Sequence, residues 1–95
     1  MDGFQFEWDA DKAEVNRRKH GVTFDEASSV FNDPRFFVRY DEAHSDSEDR
    51  WKAIGFSEKG RLVSLIYTRR HPKLRIISAR KADARESKAY SQSQS

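Results

Sequence analysis

RWKAIGFSEKGRLVSLIYTRRHPKLRIISAR, residues 50–80, is the stretch on which the fold turns. Its three apolar runs, 50–57, 61–70 and 74–80, are rich in β-branched and aromatic residues and are separated by two short polar breaks. Glu58, Lys59 and Gly60 suit a tight hairpin turn, and His71, Pro72 and Lys73 turn the chain again. Turns this short join antiparallel neighbours, so the spacing predicts a three-stranded meander. Along the first run Arg50, Lys52, Ile54 and Phe56 lie opposite Trp51, Ala53 and Gly55. Along the second, Arg61, Val63, Leu65, Tyr67 and Arg69 alternate with Leu62, Ser64, Ile66, Thr68 and Arg70. Both faces mix apolar and basic side chains, and alternation alone does not assign the buried one.

Upstream of the meander, FFVRY (36–40) reads as a short strand and DEAHSDSED (41–49) as an acidic loop. Before that the period is helical. Asp9 is an N-cap for ADKAEVNRRKH, which places acids early and bases late, and Gly21 is a left-handed stop. Thr23 and Glu26 form the capping box of a second helix, with Phe24, Ala27, Val30 and Phe31 on one side and Asn32, Asp33 and Pro34 ending it. FQFEW (4–8) alternates as a strand. After the meander, KADARESKAY returns to helical spacing with Ala82, Arg85, Glu86, Ala89 and Tyr90 on one face. The expected class is therefore α+β: an antiparallel meander with two N-terminal helices on one face, a closing C-terminal helix, and the other sheet face open. Residues 1–90 are expected to form one domain, and SQSQS (91–95), with nothing to bury, a disordered tail.

Composition narrows the chemistry. The 95 residues include no cysteine, which removes disulfides, thiolate metal sites and cysteine nucleophiles and suits a reducing cytoplasm. No apolar run approaches the roughly 20 residues that cross a bilayer, and the N-terminus lacks the basic and apolar regions of a leader, so neither a membrane partner nor secretion is expected. Twelve aromatic residues stand against thirteen Val, Ile, Leu and Met, so rings must supply much of the core. The net charge of +2 hides an asymmetry: residues 1–49 carry six Lys/Arg against thirteen Asp/Glu, and residues 50–95 twelve against three. A basic half of this kind suits a polyanion, unless the halves interleave in space and neutralise each other.

The three histidines, His20, His44 and His71, fall at a helix end, in the acidic loop and in a turn, without metal-ligand spacing. Neither a glycine-rich phosphate loop nor a G-x-S-x-G elbow is present, and no metal or cofactor is expected. The arginines are the denser signal. Arg50, Arg61, Arg69, Arg70, Arg75 and Arg80 lie on the meander or at its ends, where a rigid sheet would fix guanidinium geometry for phosphate. No acid lies between residues 59 and 82 to pair with them locally. Protection of a sheet edge is the other reading of the same residues.

FEWDADKAEVNRRKHGVTFDEA (6–27), DEAHSDSEDR (41–50) and RIISARKA (75–82) together resemble the BrnT family of bacterial type II toxins, over about residues 4–90. The matched positions include Trp8, Asp9, Lys12, Asn16, Lys19, His20 and Gly21; His44, Glu48 and Arg50; and Thr68, Arg70, Arg75, Ser78, Arg80 and Ala82. The resemblance implies a RelE-like ribonuclease fold and metal-independent RNA cleavage that arrests translation. It also implies neutralisation by a BrnA-type antitoxin, through which the pair would bind operator DNA.

On that reading the RNA's own 2′-hydroxyl is the nucleophile. His44 and Glu48 are the base and acid candidates, and Arg50, Arg70, Arg75 and Arg80 the phosphate and transition-state candidates. Lys19, Lys52, Arg61 and Arg69 are the expected RNA-binding residues. An inhibiting partner is expected to bring acids to Arg50, Arg70 and Arg75 and apolar side chains to Trp51 or Tyr67. The rival is a non-catalytic module that uses the basic sheet to hold RNA or an acidic protein, and salt-dependent binding without strand scission would favour it.

Overall fold

The local signals build the first third of the chain. Asp9 accepts a hydrogen bond from the Lys12 backbone N–H at 3.0 Å and opens helix α1 (Ala10–His20), which Gly21 closes at φ 71°. Thr23 caps α2 (Phe24–Ser28) by accepting from the Glu26 N–H, also at 3.0 Å. The α-helix is shorter than expected: from Ser29 to Asn32 it tightens into a 3-10 turn, with the Ser29 hydroxyl donating to the Glu26 carbonyl. A computed structural model describes residues 3–94 of the chain. The remaining elements are β1 (Gln5–Glu7), β2 (Phe37–Tyr40), a 3-10 turn at Glu42–His44, β3 (Trp51–Phe56), β4 (Leu62–Arg70), β5 (Lys73–Lys81) and α3 (Ala84–Ser93).

The predicted meander is β3, β4 and β5, within a five-stranded sheet of order β1-β5-β4-β3-β2. β2 adds antiparallel to β3, whereas β1 pairs parallel with the start of β5, Gln5–Glu7 against Lys73–Arg75. The sheet is therefore mixed rather than wholly antiparallel. A parallel pair needs a long crossover, and no local turn chemistry announces one. In the β4–β5 ladder Ile66 opposes Ser78 and Tyr67 opposes Ile76, leaving Ile77 as the extra residue of a bulge.

The buried face carries Ala53, Val63, Leu65, Tyr67, Ile76 and Ala79, against which Val22, Phe24, Ala27, Val30 and Phe31 pack. Phe31 sits among rings, with centroids 5.0 Å from Phe4 and Phe36, 5.4 Å from Phe6 and 5.5 Å from Tyr67. Gly55 is required here: a Cβ would meet Phe36 Cβ at 2.9 Å and Val30 Cγ1 at 3.0 Å. Beneath the same layer, buried Glu26 receives Arg61 through Nε at 2.7 Å and Nη2 at 2.6 Å, together with the Ser57 hydroxyl at 2.7 Å.

α3 lies on the other side of the sheet, which is thus partly covered rather than open. Tyr90 packs on the rings of Phe37 and Phe56, and Ile54 is fully buried on that side. The helix starts at Ala84 because Lys81 still belongs to β5, and Asp83 with Glu86 makes its capping box. It runs on through Ser93, with Gln94 donating to the Arg35 and Tyr90 carbonyls. The expected disordered tail is thereby corrected over Ser91–Gln94; Ser95 lies outside the described residues.

Beyond Arg75, β5 has no strand on its outer side among the described residues; α1 serves there. The Asn16 side-chain amide donates to the Ala79 carbonyl at 2.9 Å and the Val22 carbonyl at 3.0 Å, and its oxygen accepts from the Ala79 N–H at 3.1 Å. One buried side chain thus imitates one residue of a further strand. Asn16→Ala would orphan these backbone groups. Each orphaned group costs about 1–3 kcal/mol, so the variant should lose at least about 2 kcal/mol in urea-unfolding free energy.

Candidate functional site

Strand alternation and register place Lys52, Ser64, Ile66, Thr68, Ser78 and Arg80 on the α3 side of the sheet. Because of the bulge at Ile77, Arg75, opposite Thr68, joins that side as well. A cleft of about 170 Å³ opens there, lined by His20, His44, Lys52, Ser64, Ile66, Ser78, Ala79 and Arg80. His20 arrives as the last residue of α1, a helix held to the sheet edge by Asn16. His44 arrives from the 3-10 turn of the acidic loop, and its Nδ1 lies 2.7 Å from Asp41 Oδ2. A carboxylate at Nδ1 makes that nitrogen the donor and leaves Nε2 able to accept a proton.

Glu86 organises the cationic side of the cleft. Arg80 donates to its carboxylate from Nη1 at 2.8 Å and Nη2 at 2.9 Å, Lys52 Nζ at 2.8 Å and the Ser64 hydroxyl at 3.2 Å. Its Oε1 also accepts from the Asp83 N–H at 2.9 Å. Burial by itself would raise the Glu86 pKa, but Arg80 and Lys52 outweigh it and hold the carboxyl at about 2. Lys52 still has two of its three donors. Among the described residues no group of three or more His, Cys, Asp or Glu is placed to hold a metal ion.

The cleft unites three of the sequence-predicted site residues, His44, Lys52 and Arg80. Glu48, Arg50 and Arg70 form a separate cluster, with Glu48 3.6 Å from Arg50 and 3.2 Å from Arg70. Arg50 Nε is buried there without a hydrogen-bond partner. Arg75 pairs with Glu7 at 3.1 Å across the β1–β5 ladder. Lys19 lines a groove beside α1 with Val15 and Ile77. Arg61 and Arg69 are on the opposite side: Arg61 is spent on Glu26, and the Arg69 guanidinium stacks over Trp51 with its centre 4.3 Å from the ring centroid. Tyr67 is buried against Phe31, which corrects the expectation that a partner could pack on it.

His20, Ser64 and Glu86 were not among the predicted site residues. His20 carried a signal, its place at the end of a helix closed by Gly21. Ser64 and Glu86 gave none before their strand and helix were set face to face.

A small α+β chain that gathers two imidazoles, a guanidinium and an ammonium on the half-covered face of a sheet has the makings of a protein that handles anionic substrates. The chain belongs to the family described as "Ribonuclease toxin, BrnT, of type II toxin-antitoxin system", which matches residues 8–86. Its fold is similar to that of the Brucella abortus ribonuclease toxin BrnT, known from a 1.1 Å crystal structure, with a TM-score of 0.66 and 25% identity over 84% of this chain and 97% of that one. A search of curated proteins finds no match. As a type II toxin family, BrnT implies an RNA target and an antitoxin partner.

The Glu86 pairing has a pH signature. Its carboxyl titrates near 4.5 ordinarily and at about 2 when folded, so the unfolded chain takes up the proton first as pH falls. The stabilisation is complete above about pH 4.5 and lost progressively toward pH 2. The melting temperature followed by circular dichroism should fall between about pH 5 and pH 2.5. Glu86→Gln should fall less over that range, from a lower starting point at neutral pH.

Proposed function

We propose that the chain is a metal-independent endoribonuclease of RelE-like fold, acting in the cytoplasm, and that the His20–His44 cleft is its active site. The observation that carries this reading is the convergence of His20, His44, Lys52 and Arg80 on one cleft. His44, oriented by Asp41, removes the proton from the RNA 2′-hydroxyl, and the 2′ oxygen attacks the adjacent phosphorus. Arg80 and Lys52 stabilise the charge that develops on the non-bridging oxygens, and their bonds to Glu86 hold them in place beforehand. The bond from phosphorus to the 5′ oxygen breaks, and His20 gives that oxygen a proton. The products are a 2′,3′-cyclic phosphate and a 5′-hydroxyl.

His20 thereby takes the acid role that the sequence offered to Glu48. Glu48 instead balances Arg50 and Arg70, which with Arg75 extend the cationic surface along the same side of the sheet. Cleavage of this kind arrests translation. Neutralisation falls to a BrnA-type antitoxin, and the pair reaches operator DNA through that antitoxin.

Purified, antitoxin-free protein incubated with RNA in EDTA should cut it, leaving cyclic phosphate ends. His44→Ala and His20→Ala should each lower the cleavage rate about 10²- to 10⁴-fold while keeping the fold by circular dichroism. Cleavage that chelation abolishes and Mg²⁺ restores would overturn the mechanism. Salt-dependent binding with no scission would overturn the enzyme reading altogether.

A further inference from the structure

Next to the cleft, and sharing Lys52 with it, lies a groove of about 350 Å³ lined by Arg39, Lys52, Asp83, Arg85 and Glu86. Arg39 stands directly across the β2–β3 ladder from Lys52. Like charges at directly opposed strand positions destabilise a sheet, and here α3 adds a third cation, Arg85, to the same groove. The two acids do not balance the three. Glu86 is already shared between Arg80 and Lys52, and Asp83 accepts the Glu86 N–H as the helix cap at 2.8 Å. Neither Arg39 nor Arg85 makes a salt bridge among the described residues, and both are exposed. Arg39 is nonetheless oriented, its guanidinium centre 5.5 Å from the Phe37 ring centroid. Two arginines without a salt bridge, set beside a lysine that shares its carboxylate with Arg80, leave an excess of positive charge that an anion would relieve.

We propose that Arg39, Lys52 and Arg85 form a second phosphate subsite, which holds the RNA strand one or more nucleotides away from the phosphate being cleaved. The proposal rests on the ribonuclease reading of the adjoining cleft. Lys52 is the hinge between the two, since it lines both, and a strand running along the α3 side of β3 would meet first one and then the other. Guanidinium and ammonium donors match phosphate oxygens, and contacts to phosphate position a strand without reading its sequence.

The test uses the full chain and two probes, a non-cleavable 2′-deoxy oligonucleotide for binding and the matching RNA for turnover. The double variant Arg39→Ala/Arg85→Ala should bind the deoxy probe about tenfold more weakly in fluorescence anisotropy. Its plot of log affinity against log salt should be shallower by about 0.7 for each phosphate that the variant no longer neutralises. With RNA, the loss should fall on KM rather than kcat. Arg39→Lys/Arg85→Lys should recover most of the affinity, and Lys59→Ala, on the distant hairpin turn, should bind as the parent does. Unchanged affinity and salt slope in the double alanine variant would overturn the subsite and leave the groove to an acidic protein surface. If the parent binds the deoxy probe through these arginines but never cuts RNA, the subsite stands and the ribonuclease reading falls.

Discussion

The carboxylate of Glu86 is the point through which helix α3 is joined to the sheet. It accepts from Lys52 on β3, Ser64 on β4, Arg80 on β5 and the Asp83 N–H, so three neighbouring strands and the helix cap meet on two oxygen atoms. A buried carboxylate is costly to desolvate, and the cost is met here only because both oxygens are hydrogen-bonded and two cations face them. The consequence reaches past stability. Arg80 and Lys52 are long, flexible side chains that would cost rotamer entropy to position for a substrate, and Glu86 has already fixed them. The same bonds seat Arg85 over the sheet, so both the cleft and the groove beside it depend on one side chain.

Charge that is segregated along the sequence is mixed in space. The basic second half draws its partners from the acidic first half across long separations: Arg61 with Glu26, Arg75 with Glu7, and Arg70 with Glu48. The absence of acids between residues 59 and 82 therefore did not leave these arginines unpaired. Arg39 and Arg85, which make no salt bridge among the described residues, sit outside the meander where the sequence concentrates its arginines. The deciding quantity was not the charge of a segment but what topology set beside each charge.

The sequence was legible wherever a local rule was complete. Asp9, Gly21 and Thr23 set the helix ends through bonds to residues three or four away, and the hairpin at Glu58–Gly60 set the β3–β4 register. It was opaque where geometry depended on distant chain. The bulge at Ile77 is the clearest case. Arg75 and Arg80 are five residues apart, and an unbroken strand would point them to opposite faces, yet both lie on the α3 side. No period-2 count could have grouped them. The parallel pairing of β1 and the seat of α3 were hidden for the same reason, and with them the roles of Glu86 and Ser64. His44 and Arg80, by contrast, were candidates from the sequence, and the fold sets both on the lining of one cleft.

Why the cleft lies where it does follows from coverage. A chain of 95 residues has enough apolar side chains to bury the centre of one face of a five-stranded sheet, and Phe24, Ala27, Val30 and Phe31 do so from a short helix and its 3-10 extension. What remains for the second face is α3, ten residues and so about 15 Å long, which seals Ile54 with Tyr90 and stops. The margin of that face beside α3 cannot be apolar without exposing a sticky patch, so next to buried Ser64 it carries Lys52, Ser78, Arg80 and the incoming histidines. The shortage of core residues thus leaves a polar, cation-bearing surface beside α3, where the cleft lies.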